Sequence, residues 1–303
     1  MTHAPSPGPR RVWAGRLGLL LAGLAVGALT FLVALQVRAG VAPEGTTTSP
    51  PVDAQTVTPS EGASAETAPD DAGPAADASP APPLDGLTVA LDPGHNGDNA
   101  ANPLTVNAPV PDGRGGTKAC NTVGASTDGG YPEHAFAWDV SQRLTDRLTG
   151  LGATVVLTRP DDAGVGPCVD ARGRFPQEHD ADVLVSVHAN GTEDRSVRGF
   201  FAIVADPPVH DAQGAPSVAL AEALVAALDA EGFTPSTAYD DAISRRADLA
   251  TLNHAERPVV MLELGEMRNP DEGALMETGE GRQRYADALA AGVVAWAQET
   301  GAG

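Results

Sequence analysis

Four side chains carry the chemistry legible in this sequence: His95, Glu133, His188 and Glu263. Two histidines and one carboxylate make a three-ligand set for catalytic zinc, with a fourth position left for water. His95, Glu133 and His188 fit that set and would hold one Zn2+. Such an ion brings the pKa of water towards neutrality and polarises a carbonyl. A further carboxylate must then take and return the proton, and Glu263 is the candidate. Each signal is modest alone. A strand-end histidine is more often structural than a ligand, and Glu133 has a simpler reading as a carboxylate at the positive end of a helix dipole.

The case for a site rests on the elements that would position these groups. Leu87 to Leu91 reads as a buried strand halted by Asp92-Pro93-Gly94, which presents His95 in a glycine-flanked turn. Asp182-Val-Leu-Val-Ser-Val-His188-Ala-Asn-Gly repeats the design, and Pro258-Val-Val-Met-Leu-Glu263-Leu-Gly ends in a carboxylate. Glu133 opens a helix running to Leu148, whose Phe136, Val140, Leu144 and Leu148 recur at helical spacing. Further strands are expected at 153–158 and 198–204, and helices at 172–179, 218–228 and 285–297. Strands alternating with helices imply α/β architecture: a single domain with a central, mostly parallel, twisted sheet flanked by helices. Parallel strands would bring both histidines and Glu263 to one edge, where α/β sites collect.

Other residues carry less. Asn190, just beyond His188, and Arg245 are candidate substrate contacts, with a solvated charge as the alternative for Arg245. His134, His179, His210 and His254 lie in settings that read as non-ligating, His254 being the closest competitor because it precedes the Glu263 strand. The segment 96–130 reads as a long polar loop, and loops of that length are usually functional or insertion-like. Cys120 within it and Cys168 are the only cysteines. Outside the cytoplasm they would most simply form one disulfide, worth about 3–4 kcal/mol by loop-closure entropy; two free buried thiols are the alternative.

The chain has 303 residues and a formal net charge of -21, with every acidic residue after Gly40. One lysine, Lys118, and an aromatic content of 4% set nucleic acid aside as a partner. Residues 1–16 are basic and expected in the cytoplasm. Residues 17–37 hold no charge and have the length of a membrane-spanning helix. They read as a retained single-pass anchor or as a cleaved signal peptide. Residues 38–83, rich in Pro, Ala, Thr and Asp, read as a disordered linker. Residues 84–303 would then be a head outside the cytoplasm, expected to be monomeric, either held at the cell membrane or released to the cell wall.

Leu-Asp-Pro-Gly-His95, Glu133 at the start of its helix, Val-Ser-Val-His188-Ala-Asn-Gly and Leu-Glu263-Leu-Gly-Glu-Met-Arg-Asn-Pro stand in an order that resembles the type 3 zinc-dependent N-acetylmuramoyl-L-alanine amidases. The resemblance covers about 87–298. It implies a phosphorylase/hydrolase-like fold, zinc on His95, Glu133 and His188, and Glu263 as the proton-moving carboxylate. The implied reaction is cleavage of the amide between the muramic acid lactyl group and L-alanine in peptidoglycan. The Gly-Thr-Lys118-Ala-Cys-Asn loop and its cysteines resemble compact actinobacterial members. One departure is Glu266, where the family often has Phe. Two competing functions remain at this stage: a silent peptidoglycan-binding or regulatory protein, and a zinc carboxypeptidase or deacetylase.

Overall fold

The computed structural model describes residues 81–302. The expected cytoplasmic segment, the anchor or signal and nearly all of the linker lie outside those residues. Among the described residues no helix is long and apolar enough to cross a membrane.

Six strands form the central sheet: β1 (Thr88–Pro93), β4 (Thr154–Leu157), β5 (Val183–Asn190), β6 (Phe201–Ala205), β7 (Ile243–Arg246) and β8 (Val259–Glu266). Their spatial order is β4-β1-β5-β8-β6-β7. The first four in that order run parallel, while β6 meets β8 antiparallel and pairs parallel with β7. The expected mostly parallel sheet is therefore present, with its last two strands reversed.

Both faces of the sheet are covered, which is why its strands read as continuous apolar runs. Alternate residues face opposite sides. On one side Val89, Leu91, Val185, Val187, Val260 and Leu262 pack with residues of three long helices. These are α2 (Glu133–Gly150), α4 (Ala215–Ala230) and α7 (Gly279–Thr300). On the other side Ala90, Leu184, Val259 and Met261 meet Phe175, Leu252 and Ala255. They come from or adjoin the short helices α3 (Val169–Glu178) and α5 (Ala250–His254). This thinner cover leaves the carboxyl ends of β1, β5 and β8 open.

Three stretches differ from the sequence reading. Segment 96–130 holds a short helix, α1 (Pro103–Val106), and a hairpin of β2 (Pro109–Pro111) and β3 (Thr117–Ala119). Residues 243–254, where the sequence reading placed no element, hold β7 and α5, because an edge strand needs few apolar residues. The strand expected at 198–204 begins at Phe201, since Gly199 adopts a φ of +105° beside Pro235 and Ser236. One more helix, α6 (Pro270–Glu277), starts at Pro270, capped by the Asn269 side chain.

Candidate active site

The Asp-Pro-Gly stop aims His95 by two constraints. Pro93 ends β1, and His95 itself is left-handed at φ 58°. Gly94 lies against the His188 ring so closely that an added Cβ would overlap it. The Nδ1–H of His95 donates to the Thr122 carbonyl at 3.1 Å. A carbonyl only accepts, so Nδ1 carries a proton and Nε2 is turned towards the cleft.

Glu133 closes the set. Its Oε1 is 3.0 Å from His95 Nε2 and 2.9 Å from His188 Nδ1. The backbone N–H of Ala125 donates to Oε2 at 2.7 Å. The two imidazoles meet edge to face, with centroids 4.9 Å apart. Burial would raise the Glu133 carboxyl, but the facing histidines and their hydrogen bonds outweigh it and hold it well below the usual carboxylate range. The three donor atoms lie within 4.8 Å of one another. Tetrahedral zinc with bonds of about 2.0–2.1 Å separates its ligands by about 3.3 Å. The donor set and spacing fit the ion the sequence implied.

Glu263 stands beside this group, in register with His188 across β5 and β8. Its Oε2 is sealed from solvent and has no hydrogen-bond partner. Burial first, then the charges of Glu133 and Glu266, push its carboxyl well above the ordinary value, while Arg246 opposes them. All four residues line one cleft of about 550 Å³. Its far wall is the Asn121–Ala125 loop, where Gly124 leaves room for His95 and Glu133.

Glu266 does not compete for the site. Its oxygens accept from Asn190 Nδ2 at 2.6 Å and from the Thr192 backbone at 3.1 Å. Asn190 lines the cleft but spends its amide on that bond. Arg245 is exposed on β7 and is not brought to the cleft, because strand alternation turns it away from Arg246 and towards water. Among the remaining histidines, His134 pairs with Asp162 at 2.7 Å. His179 stacks on Phe175, and His254 Nε2–H donates to Pro111 O at 3.1 Å. Cys120 and Cys168 form the disulfide.

The sequence reading missed the support beneath the cleft. Asp92, fully buried, accepts from Arg172 at 2.6 Å and from the hydroxyls of Thr158 and Ser186, each at 2.7 Å. Burial would raise its carboxyl, but Arg172 foremost, then His188 and the two hydroxyls, hold it below the ordinary value. Arg159, 1% exposed, donates to Pro93 O and Gly94 O at 3.0 and 3.3 Å. The available signal was a polar residue inside each apolar strand, Asp92 and Ser186, which turn out to be register partners.

Residues 89–295 match the family model described as N-acetylmuramoyl-L-alanine amidase. The N-acetylmuramoyl-L-alanine amidase Rv3717 of Mycobacterium tuberculosis is 44% identical over 210 residues, 69% of this chain and 85% of that protein. The crystal structure of the N-acetylmuramyl-L-alanine amidase Ami1 from Mycobacterium smegmatis superposes with a TM-score of 0.68 at 41% identity, covering 71% of this chain and 99% of the other. The apo form of Ami1 from Mycobacterium abscessus gives 0.67 at 43% identity, covering 70% and 99%.

Proposed function

Since the chain belongs to the N-acetylmuramoyl-L-alanine amidase family, we propose that His95, Glu133 and His188 hold a zinc ion and that Glu263 moves the proton of the hydrolysis. The enzyme's reaction is hydrolysis of the amide joining N-acetylmuramic acid to L-alanine in peptidoglycan. The observation that carries the site reading is the partnerless Oε2 of Glu263, buried in the same cleft as the three donor atoms. An unsatisfied buried carboxylate oxygen is costly to a fold, and a group awaiting a proton explains it.

When bound, zinc supplies a Lewis acid for the amide carbonyl and makes water acidic. The chain's own residues do the rest. Glu133 and the His95 imidazole are held by main-chain bonds to Ala125 and Thr122, and the His188 ring meets Glu133. Glu263 accepts a proton from the attacking water at Oε2 and returns it to the departing alanine amine. Its raised proton affinity suits that cycle, since a base must hold the proton long enough to deliver it. The thinly covered side of the sheet admits the glycan-linked peptide.

We place the head outside the cytoplasm, tethered by residues 17–37 or released if that segment is cleaved. The basic start, the uncharged run and a disulfide that needs an oxidising compartment support that placement.

Digestion of purified peptidoglycan tests the reading. The chain should free the L-alanine amine from muramic acid, chelator should stop it, and zinc should restore it. The variant His188→Ala should release no stem peptide. Products unchanged by chelator would sink the zinc mechanism; cleavage elsewhere in the peptide would point to a carboxypeptidase.

A further inference from the structure

His95 is the ligand with the least secondary structure beneath it. It lies beyond the end of β1, in a left-handed conformation that side chains other than glycine disfavour. Something outside the sheet must hold it, and two arms do. The first reaches the ring, where the Thr122 carbonyl accepts from Nδ1 at 3.1 Å. The second reaches the backbone, where Arg172 donates to the His95 carbonyl at 2.5 Å and to Pro93 O at 2.7 Å.

The arms start from opposite ends of one covalent bridge. Thr122 is two residues from Cys120, and Arg172 lies in the first turn of α3, whose N-cap is Cys168. The Cys120–Cys168 disulfide joins them with its Cα atoms 4.3 Å apart. Short bonds repeat the link. Val169 N–H donates to Cys120 O at 2.7 Å, and Asn121 Nδ2 donates to Pro167 O at 2.8 Å. The Asn121 Oδ1 in turn accepts from Thr122 N–H at 2.8 Å, which aims the carbonyl arm.

We propose that the Cys120–Cys168 disulfide, acting through Thr122 and Arg172, is a positioning device for His95 that sets the affinity of the three-residue site for its metal. This rests on the reading of His95 as a ligand. The disulfide touches no reacting atom. It fixes the distance between the two segments that hold one imidazole, and outer contacts of this kind change metal affinity about 10–100-fold.

The test is a zinc titration of the full chain against a chromophoric chelator, for the wild type and for the paired variant Cys120→Ser, Cys168→Ser. Circular dichroism at the same temperature establishes that both are folded. Zinc affinity should fall about 10–100-fold, and the hydrogen-bonded Nδ1–H resonance of His95 should be lost from the imidazole NMR spectrum. Leu144→Ala, which destabilises the fold from the opposite side of the sheet, should leave affinity and resonance unchanged. Should the paired variant not fold, Asn121→Ala keeps the bridge and frees only the Thr122 arm, with a loss of about tenfold expected. A folded paired variant, or a folded Asn121→Ala, that binds zinc as tightly as wild type overturns the proposal. A wild type that binds no zinc overturns the metal reading itself, and this inference with it.

Discussion

The two faces of the central sheet are made by the same strands and differ in what fills alternate positions towards their carboxyl ends. On the face covered by α2, α4 and α7, β1 offers Val89 and Leu91, β5 offers Val183, Val185 and Val187, and β8 offers Val260, Leu262 and Leu264, all buried. On the other face the same strands begin apolar, with Ala90, Leu184 and Val259, and then turn polar. There Asp92, Ser186, His188 and Glu263 succeed them in register. The first face is held by area removed from water, which is tolerant of exact shape. The second is held by directional bonds among buried polar groups, which are costly when any partner is missing. Stability and chemistry are thus divided between the two sides of a single layer.

The largest effect expected from this division is a separation of rate from stability at Glu263. Glu263→Gln keeps the size of the side chain and removes the proton acceptor. Hydrolysis of peptidoglycan should fall about 10²–10⁴-fold. Stability of chelator-treated protein at neutral pH should hold or rise. The sign follows from the raised proton affinity of Glu263, since a carboxyl lifted above its unfolded value opposes folding as pH climbs past that value. Urea denaturation measures it, and a variant that is markedly less stable would place Glu263 among the structural groups instead.

Next in size is a contrast across the sheet. Asp92→Ala strands the Arg172 charge and should cost about 3–5 kcal/mol, together with activity, because Arg172 also holds the His95 turn. Leu144→Ala should cost about 2–5 kcal/mol yet leave the activity of the folded fraction intact. Acid should separate the two faces further. Asp92 is held below the ordinary carboxylate range, so its contribution is fully present above roughly pH 4 and disappears as pH falls through its lower folded-state value. Wild type should therefore lose more stability than Asp92→Asn below that pH. Equal losses would mean that other carboxylates dominate acid unfolding.

The apolar face was legible in the sequence, and the polar face only half so. Parallel strands buried on both sides announce themselves as uninterrupted runs, and α2 announces itself by Phe136, Val140, Leu144 and Leu148. His95, Glu133, His188 and Glu263 were legible because each stands at the end of such an element. Arg159 and Arg172 were not. Their partners are mainly main-chain carbonyls, those of residues 93–95 among them, and a main-chain carbonyl leaves no mark on sequence. Nor was the reversal of β6 legible, since its five residues Phe-Ala-Ile-Val-Ala are all apolar and buried and carry no sign of strand direction. Arg245 was left open between a substrate contact and a solvated charge for a simple reason: in Ile-Ser-Arg-Arg the two arginines must face opposite ways, and the sequence does not say which one faces water.

The smallest expected effect tests how far tolerance extends on the apolar face, at Gly292 in the middle of α7. Two forces compete when it becomes alanine. Helix propensity favours the change by about 1 kcal/mol. Against it, the new methyl would lie 2.9 Å from the Leu224 Cα and 3.2 Å from the Ala223 carbonyl of α4. Those are backbone atoms of a facing helix, so the strain cannot be relieved by a rotamer change, and forced overpacking costs about 1–3 kcal/mol. The balance should be a net loss of about 1 kcal/mol or somewhat more, seen in thermal unfolding, with peptidoglycan hydrolysis unchanged at temperatures where the protein is folded. A stabilised Gly292→Ala would show that α4 and α7 can move apart, making even their closest contact a matter of area alone. A loss of activity would show the opposite, that packing on this side reaches through the sheet to His188 and Glu263.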